Sequence, residues 1–230
     1  MSGITVNEKD IAVPGEVLGT GMDILPGMGT YREGDRIMAG RLGLVMLEGR
    51  TIKLIPMSGR YMPKIGDTII CKVIDVGFNG WRLDTNSAYS AMLSMKDATS
   101  DFIARGANLT QYYDLGEHIV CKIANVTSQK LIDVTMKGPG LRKLKGGRII
   151  EVSTHKVPRI IGKQGSMVMM IKDATQCNIT VGQNGLVWIE GSPVNEMRAI
   201  NAIRKIEKES HLSGLTEKIK SFLETSQQVN

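Results

Sequence analysis

Cysteine, aromatic residues and long hydrophobic runs are all scarce in this chain of 230 residues. Its three cysteines lie about fifty residues apart, which matches neither a disulfide framework nor a CxxC metal site and suits a reducing compartment. The longest apolar run is residues 167–171, whereas a membrane-spanning helix needs about twenty apolar residues. The first ten residues lack the basic and apolar stretches of a secretory signal. We therefore expect a soluble, cytoplasmic protein that does not insert into membranes.

Recognisable catalytic motifs are also missing. The histidines His118, His155 and His211 stand far apart, and no HExxH, GxGxxG or P-loop pattern is present. The paired carboxylates in the sequence are explained by an ordinary charged surface and do not indicate a catalytic site. The chain is therefore expected not to be an enzyme, and to hold neither a metal ion nor another cofactor.

Glycine and positive charge are what the chain has in excess. It contains 26 glycines and carries a net charge of +6. Residues 1–62 and 63–137 are each charge-balanced, but residues 138–230 hold fourteen basic and eight acidic groups. Within residues 142–172, eight basic side chains stand against the single acid Glu151. Such asymmetry favours a polyanionic partner, RNA or DNA, although a solvated basic face without a partner would give the same pattern.

The first 62 residues contain short β-prone runs separated by turn formers. Runs at 36–38, 42–47 and 51–55 are bounded by glycine, which is typical of the strands of a small sheet. No stretch of ten residues has helical periodicity. A small Gly-rich all-β domain is therefore predicted, with a linker at Met62-Pro63.

Residues 63–137 contain a second β pattern. Five strands are predicted, with a long polar excursion between the third and the fourth, which is the layout of an OB barrel. An unrelated small barrel stays open as the alternative. The predicted strands are 68–76, 81–84, 89–93, 117–126 and 131–136, with a tight turn at 77–80.

From residue 147 onward the pattern changes to mixed α and β. The predicted order is strand, helix, loop, helix, strand, strand, helix. The Asn-Gly pair at 184–185 is the favoured dipeptide of a hairpin turn, and Ser192 with Pro193 is a helix start. The elements are a strand at 148–153, a helix from 165–166, strands at 178–181 and 186–190, a helix after Ser192, and a last helix at 215–224.

The GXXG motif at residues 162–165 carries the functional prediction. Glycine is so common that four GXXG motifs occur, but only this one joins two predicted helices inside the basic stretch. Glycine has no Cβ to obstruct an RNA backbone, and the following helix N-terminus attracts phosphate. The motif therefore predicts an RNA clamp, with a purely structural turn as the alternative. The expected RNA-contacting residues are Gly162, Lys163, Gln164, Gly165, Lys156, Arg159 and Arg148.

Two known domain families share these patterns. Residues 147–208 resemble a KH domain with the eukaryotic-type order, since the helix pair precedes the strand hairpin. Residues 64–137 resemble the OB domain named after the first protein of the small ribosomal subunit, through Gly66-Asp67, Lys72-Val73, Gly116-Glu117 and Val134-Thr135-Met136. Together with Val13-Pro14-Gly15-Glu16 and Tyr31-Arg32-Glu33-Gly34-Asp35, the domain order resembles the RNA-binding cap subunit of the archaeal exosome.

This resemblance implies a multidomain, mainly β protein with a C-terminal α+β domain. The implied domains are 1–62 for docking, 63–137 an OB fold and 138–210 a KH domain, both RNA-binding, and 211–230 a C-terminal helix and tail. It implies three copies on a hexameric ring of RNase-PH-like subunits, capturing single-stranded RNA for 3'-to-5' degradation or tailing. The alternative is a transcription elongation or translation accessory factor of the NusA type.

The barrel departs from its wider family in one respect. Strand three lacks the aromatic side chains on which bases stack, so Phe78 and Trp81 are the only candidates for stacking, and either is equally a core residue. The barrel is therefore expected to contact RNA chiefly through charge, from Lys72, Arg82 and Lys122.

Overall fold

The computed structural model describes residues 3–57, 59–210, 212 and 214–225. The chain divides into two compact units between Gly59 and Arg60. Strands dominate the elements, and the predicted mainly β class is confirmed. Part of the expected C-terminal segment, namely residues 211, 213 and 226–230, lies outside the described residues. Within the described residues no helix is both long and apolar enough to cross a membrane.

The first unit is an all-β structure. Its strands are β1 (Gly3–Ile4), β2 (Ile11–Ala12), β3 (Val17–Thr20), β4 (Leu25–Pro26), β5 (Thr30–Glu33), β6 (Arg36–Ala39), β7 (Gly43–Glu48) and β8 (Thr51–Pro56). They form two four-stranded sheets, with the orders β1-β3-β6-β5 and β2-β7-β8-β4. The core is formed by fully buried side chains that include Leu18, Ile37, Ile52 and Leu54. The three predicted strands correspond to β6, β7 and β8.

The second unit begins with a closed barrel. Its elements are β9 (Thr68–Val76), β10 (Gly80–Asp84), β11 (Ser90–Ser94), α1 (Met95–Ala98), a 3-10 turn (Leu109–Gln111), β12 (His118–Val126) and β13 (Ile132–Thr135). Hydrogen bonds join β13-β11-β10-β9-β12, and an additional β13–β12 pairing closes the ring. This five-stranded barrel confirms the predicted OB layout. Because side chains alternate along each strand, Ile69, Cys71 and Val73 fill the interior while Lys72 lies outside.

A further strand, β14 (Arg142–Leu144), extends the barrel sheet by pairing antiparallel with β12. We expected these residues inside the KH domain, 138–210, and predicted no strand there. Three residues with two cations show no alternation of their own, so only the hydrogen bonds to β12 reveal the strand. The barrel sheet therefore continues past the expected boundary at residue 137.

The remaining elements have the predicted KH order. They are β15 (Arg148–Glu151), a 3-10 turn (Thr154–Lys156), α2 (Val157–Ile161), a 3-10 turn (Lys163–Gly165), α3 (Ser166–Thr175), β16 (Asn178–Val181), β17 (Leu186–Glu190), α4 (Pro193–Glu209) and α5 (Leu215–Thr225). The antiparallel sheet has the order β15-β17-β16. Ser192 caps α4 as predicted, since its hydroxyl accepts a hydrogen bond from the Asn195 amide. The KH fold is confirmed.

All four helices contribute to the KH core. Ile160 of α2, Ile171 of α3, Ile203 of α4 and Ile219 of α5 are fully buried in one cluster. Helix α5 therefore completes the hydrophobic core of the domain.

The KH sheet packs against the outside of the barrel. Trp188 of β17 forms a buried cluster with Ile70, Val120 and Leu144 of β9, β12 and β14. The predicted hairpin turn between β16 and β17 also enters this contact, because Asn184 is fully buried and hydrogen-bonds to the backbone of Ile70. The turn therefore joins the KH domain to the barrel and is not a free surface loop.

Candidate nucleic-acid interface

The GXXG motif forms the connection between α2 and α3. Helix α2 ends at Gly162, whose φ of +76° lies in the region that favours glycine. A Cβ at position 162 would lie 2.7 Å from both the amide nitrogen and the Cβ of Met167. Glycine is therefore required here by backbone conformation and by space, because Met167 is itself buried in the KH core.

The second glycine of the motif leaves open space instead. Gly165 has a φ of +82°, and beyond its two chain neighbours no atom lies within 4 Å of a Cβ placed there. Between the two glycines, Lys163 and Gln164 are exposed, and Gln164 takes a left-handed conformation with φ +53°. The tip of the loop thus presents a cation, an amide side chain and backbone that another chain can approach closely.

Helix α3 starts directly behind this loop. No side chain caps its N-terminus at Gly165, so the positive end of the helix dipole faces the loop. The helix is held in place by Met167 and Ile171, which are buried in the KH core. The arrangement combines a fixed dipole and an exposed ammonium group, both of which stabilise a phosphate.

The other basic residues predicted for the clamp differ in what they contact. Arg159 is exposed on α2, immediately before the loop. The Lys156 ammonium donates to the carbonyl oxygen of Glu207 at 2.7 Å, so it also ties α4 to the start of α2. Arg159 and Lys163 are therefore the cations that the structure leaves exposed at the loop.

Arg148 is not brought to the clamp. It begins β15 and its Nε donates to the buried carboxylate of Glu196 at 2.9 Å. Strand β15 pairs with β17 so that Arg148 opposes Ile189. Strand β16 begins at the same end of the sheet, just after α3 ends at Thr175. A ten-residue helix is about 15 Å long, and this length separates Arg148 from the loop.

Of the two roles open to Trp81, stacking on RNA and packing in the core, the structure supports the core role. Its side chain is fully buried in the barrel core, and its indole Nε1 donates to the carbonyl oxygen of Tyr113 at 2.8 Å. The ring also packs edge-on against Tyr113 with centroids 5.3 Å apart. Phe78 lies in the tight turn between β9 and β10 and is 97% exposed, so it is the one of the two aromatic candidates that a base can reach.

The three cations predicted on the barrel are exposed but have different surroundings. Lys72 lies opposite Asp84 on the neighbouring strand. Arg82 lines a cleft of about 590 Å³ beside Phe78, and the same cleft is lined by Asp75, Asp97 and Asp133. Lys122 lies on β12 between two threonines of the neighbouring strands.

Two residues at the contact between the KH domain and the barrel escaped the sequence analysis. Asn184 has the sequence signal of a turn, which says nothing about burial. Arg142 has the signal of a basic stretch, but its guanidinium lies over the Trp188 ring, 5.4 Å from the centroid, and donates to the Thr180 hydroxyl at 3.1 Å. Neither contact has a local signal because the partners are far apart in sequence.

Metal coordination finds no support in the part of the chain that the structure describes. No group of three His, Cys, Asp or Glu side chains is gathered there in a way that could hold an ion. What the arrangement offers is a set of cations and open backbone suited to a phosphate chain.

Comparison with known proteins gives concordant matches. The family model of the RRP4 S1 domain matches residues 60–105, and a KH domain model matches residues 147–195. The exosome complex component Rrp4 of Pyrococcus furiosus is 43% identical over 97% of this chain and 86% of that protein. The protein of the same name from Methanothermus fervidus is 40% identical over 95% of this chain and 96% of that protein. A crystal structure described as that of an exosome complex RNA-binding protein matches with a TM-score of 0.67 and 32% identity, covering 74% of this chain and 99% of that chain.

Proposed function

Since this chain belongs to the family of exosome complex component Rrp4, we propose that it captures single-stranded RNA for an exosome and catalyses no reaction itself. In this proposal it caps a phosphorolytic ring in the cytoplasm and feeds RNA into 3'-to-5' degradation or tailing. The NusA-type alternative is not favoured, because the curated relatives carry the exosome name.

The observation that carries the proposal is the geometry of the GXXG loop. The open space at Gly165 lets an RNA backbone lie against the loop, where Lys163 and the N-terminus of α3 stabilise its phosphates. Such a clamp holds about four nucleotides. Gly162, Gln164 and Arg159 complete it, and Lys156 supports it from the start of α2.

The first unit supports the docking part of the proposal. It holds six basic and seven acidic residues in positions 1–59, so it offers an RNA backbone little attraction. Large exposed apolar side chains are a feature of interaction surfaces, and this unit has several: Ile11, Met22, Leu25, Met28, Ile55 and Met57. We propose that this unit contacts a hexameric ring of RNase-PH-like subunits, with three copies per ring as the family resemblance implies.

The clamp is tested by reversing its charge. Lys163→Asp with Gln164→Asp places two carboxylates at the exposed tip, where they repel phosphate. The affinity of the full chain for single-stranded RNA is expected to fall at least tenfold, about 1.4 kcal/mol, in fluorescence anisotropy at constant salt.

A matched control makes the same change of net charge elsewhere. Lys96→Asp with Ser100→Asp alters two exposed barrel residues and is expected to change the affinity less than threefold. Circular dichroism and thermal unfolding of both variants would verify the fold. Equal affinity of the clamp variant and the unmodified chain would refute the clamp.

A further inference from the structure

Arg142 of β14 connects the barrel surface to the edge strand of the KH sheet. It stands opposite Val120 on β12, so both residues lie on the outer face of the barrel. Its guanidinium covers the ring of Trp188, which is only 3% exposed, and donates to the Thr180 hydroxyl of β16. Arg142 is thus held in one position although it is exposed to solvent.

Lys122 continues this face along β12. It lies two residues beyond Val120, and side chains two residues apart point to the same face about 7 Å apart. It stands opposite Thr68, whose carbonyl oxygen accepts a hydrogen bond from the amide of Gln183 in the KH hairpin turn. Within the described residues the Lys122 ammonium has no hydrogen bond or ion pair. Lys122 and Arg142 therefore form a positive strip on the barrel where β16 and its turn meet it.

The opposite side of the barrel has the other sign of charge. The cleft on β10 and β11, where OB folds usually bind oligonucleotides, is lined by Arg82 and by the three carboxylates of Asp75, Asp97 and Asp133. Three acids against one base repel a phosphate backbone. Electrostatics therefore favours the strip over this cleft as the barrel surface that RNA crosses.

We propose that the outer face of β12 and β14, through Arg142 and Lys122, is a second binding site for single-stranded RNA that leaves the clamp along β16. The Arg142 guanidinium lies over the Trp188 ring and uses one nitrogen on the Thr180 hydroxyl, so its remaining N–H groups can meet a phosphate. Lys122 binds the next phosphate as a point charge. The inference rests on the proposed function and adds the path of the RNA between the two domains.

The test compares a short and a long RNA on the full chain. An oligouridylate of about five nucleotides fills the clamp alone, and one of about fifteen also reaches the barrel. Arg142→Ala with Lys122→Ala is expected to lower the affinity for the long RNA at least tenfold and the affinity for the short RNA less than twofold. For the long RNA, the loss of two phosphate contacts should also reduce the slope of log K against log salt by about 1.4.

Two single variants separate binding from folding. Lys122→Glu removes no hydrogen bond or ion pair within the described residues, so it should lower the affinity for the long RNA while the unfolding temperature stays the same. Arg142→Lys keeps the charge but loses the fork of N–H donors, and should weaken binding of the long RNA less than Arg142→Ala does. Lys96→Ala, an exposed barrel lysine outside the strip, serves as the control with unchanged binding.

Each contrary outcome has a separate meaning. Unchanged affinity of the Arg142 and Lys122 variants for the long RNA overturns the strip while the clamp stands. If Arg82→Ala lowers the affinity for the long RNA and the Arg142 and Lys122 variants do not, the RNA crosses the acid-lined cleft, and this also overturns the strip. Equal weakening of both RNAs by the double variant shows damage to the clamp and refutes a separate site. No binding of either RNA by the unmodified chain refutes the proposed function itself.

Discussion

Asn184 is the residue whose replacement should most directly weaken the contact between the KH domain and the barrel. Its side-chain amide pairs with the backbone of β9 as a neighbouring strand would. The Ile70 amide donates to Oδ1 at 3.3 Å, and Nδ2 donates to the Ile70 carbonyl oxygen at 2.7 Å. The same Nδ2 donates to the Thr85 carbonyl oxygen at 2.8 Å. All three residues are fully buried, so no water can replace these bonds without opening the contact.

Asn184→Ala would delete three hydrogen bonds and leave three buried backbone groups without partners. Removing one partner of a buried hydrogen bond costs about 1–3 kcal/mol in total, and we take the lower part of this range, about 1–1.7 kcal/mol for each of the three groups. We therefore expect the free energy of unfolding of the second unit to fall by roughly 3–5 kcal/mol. For a unit of this size, about 2–4 °C per kcal/mol, the unfolding temperature should fall by roughly 6–20 °C.

Urea and thermal unfolding monitored by tryptophan fluorescence measure this effect, because Trp188 lies in the contact that opens. Asn178→Ala is the matched control, since this asparagine of the same hairpin is exposed and makes one hydrogen bond, to Glu190; less than 1 kcal/mol should be lost. Asn184→Asp should be at least as harmful as Asn184→Ala, because it places a carboxylate against two carbonyl oxygens. A difference below 1 kcal/mol between Asn184→Ala and Asn178→Ala would refute the reasoning.

Three further predictions concern the assembly, the absence of catalysis and the pH dependence. Deleting residues 1–59, which spares Tyr61 of the barrel core, should abolish co-elution with ring subunits in gel filtration while RNA binding remains; co-elution of the truncated chain would contradict the docking proposal. The full chain alone should release no nucleotides from RNA with Mg²⁺ and phosphate, and release by a nuclease-free preparation would contradict a non-catalytic role. Burial and the nearby Lys72 lower the pKa of His118, so the unfolded chain binds its proton more readily. The free energy of unfolding should therefore fall as the pH drops through about 6.5, His118→Gln should flatten this dependence in urea titrations, and an equal slope in both proteins would refute it.

Local sequence was sufficient for much of the fold. The strands at 68–76, 178–181 and 186–190 have the predicted bounds, because each combines β-branched residues with a turn former at one or both ends. The helix after Ser192 begins where its cap and proline predict it. These elements depend on interactions within a few residues, and such interactions can be recognised in a single sequence.

The position of the candidate site could be predicted from local sequence, but the full set of its residues could not. The position of the GXXG loop between two helices follows from its neighbours, and the structure gives it the open backbone that a clamp needs. Arg148 lies in the same basic stretch, yet the fold carries it to the far end of α3. Proximity in sequence therefore overstated the size of the clamp, because a helix separates its two ends by about 15 Å.

The KH and OB folds and the family could be recognised from the sequence, since these depend on local periodicity, turn chemistry and motif order. That Trp81 faces the barrel core follows from the closed barrel alone, because alternation shows which residues share a face but not which face closes inward. Only the tertiary structure placed Asn184 against Ile70 and Arg142 against Trp188. These contacts join residues from 46 to 114 positions apart, and their partners are chosen by how the KH sheet packs on the barrel, which no local pattern encodes.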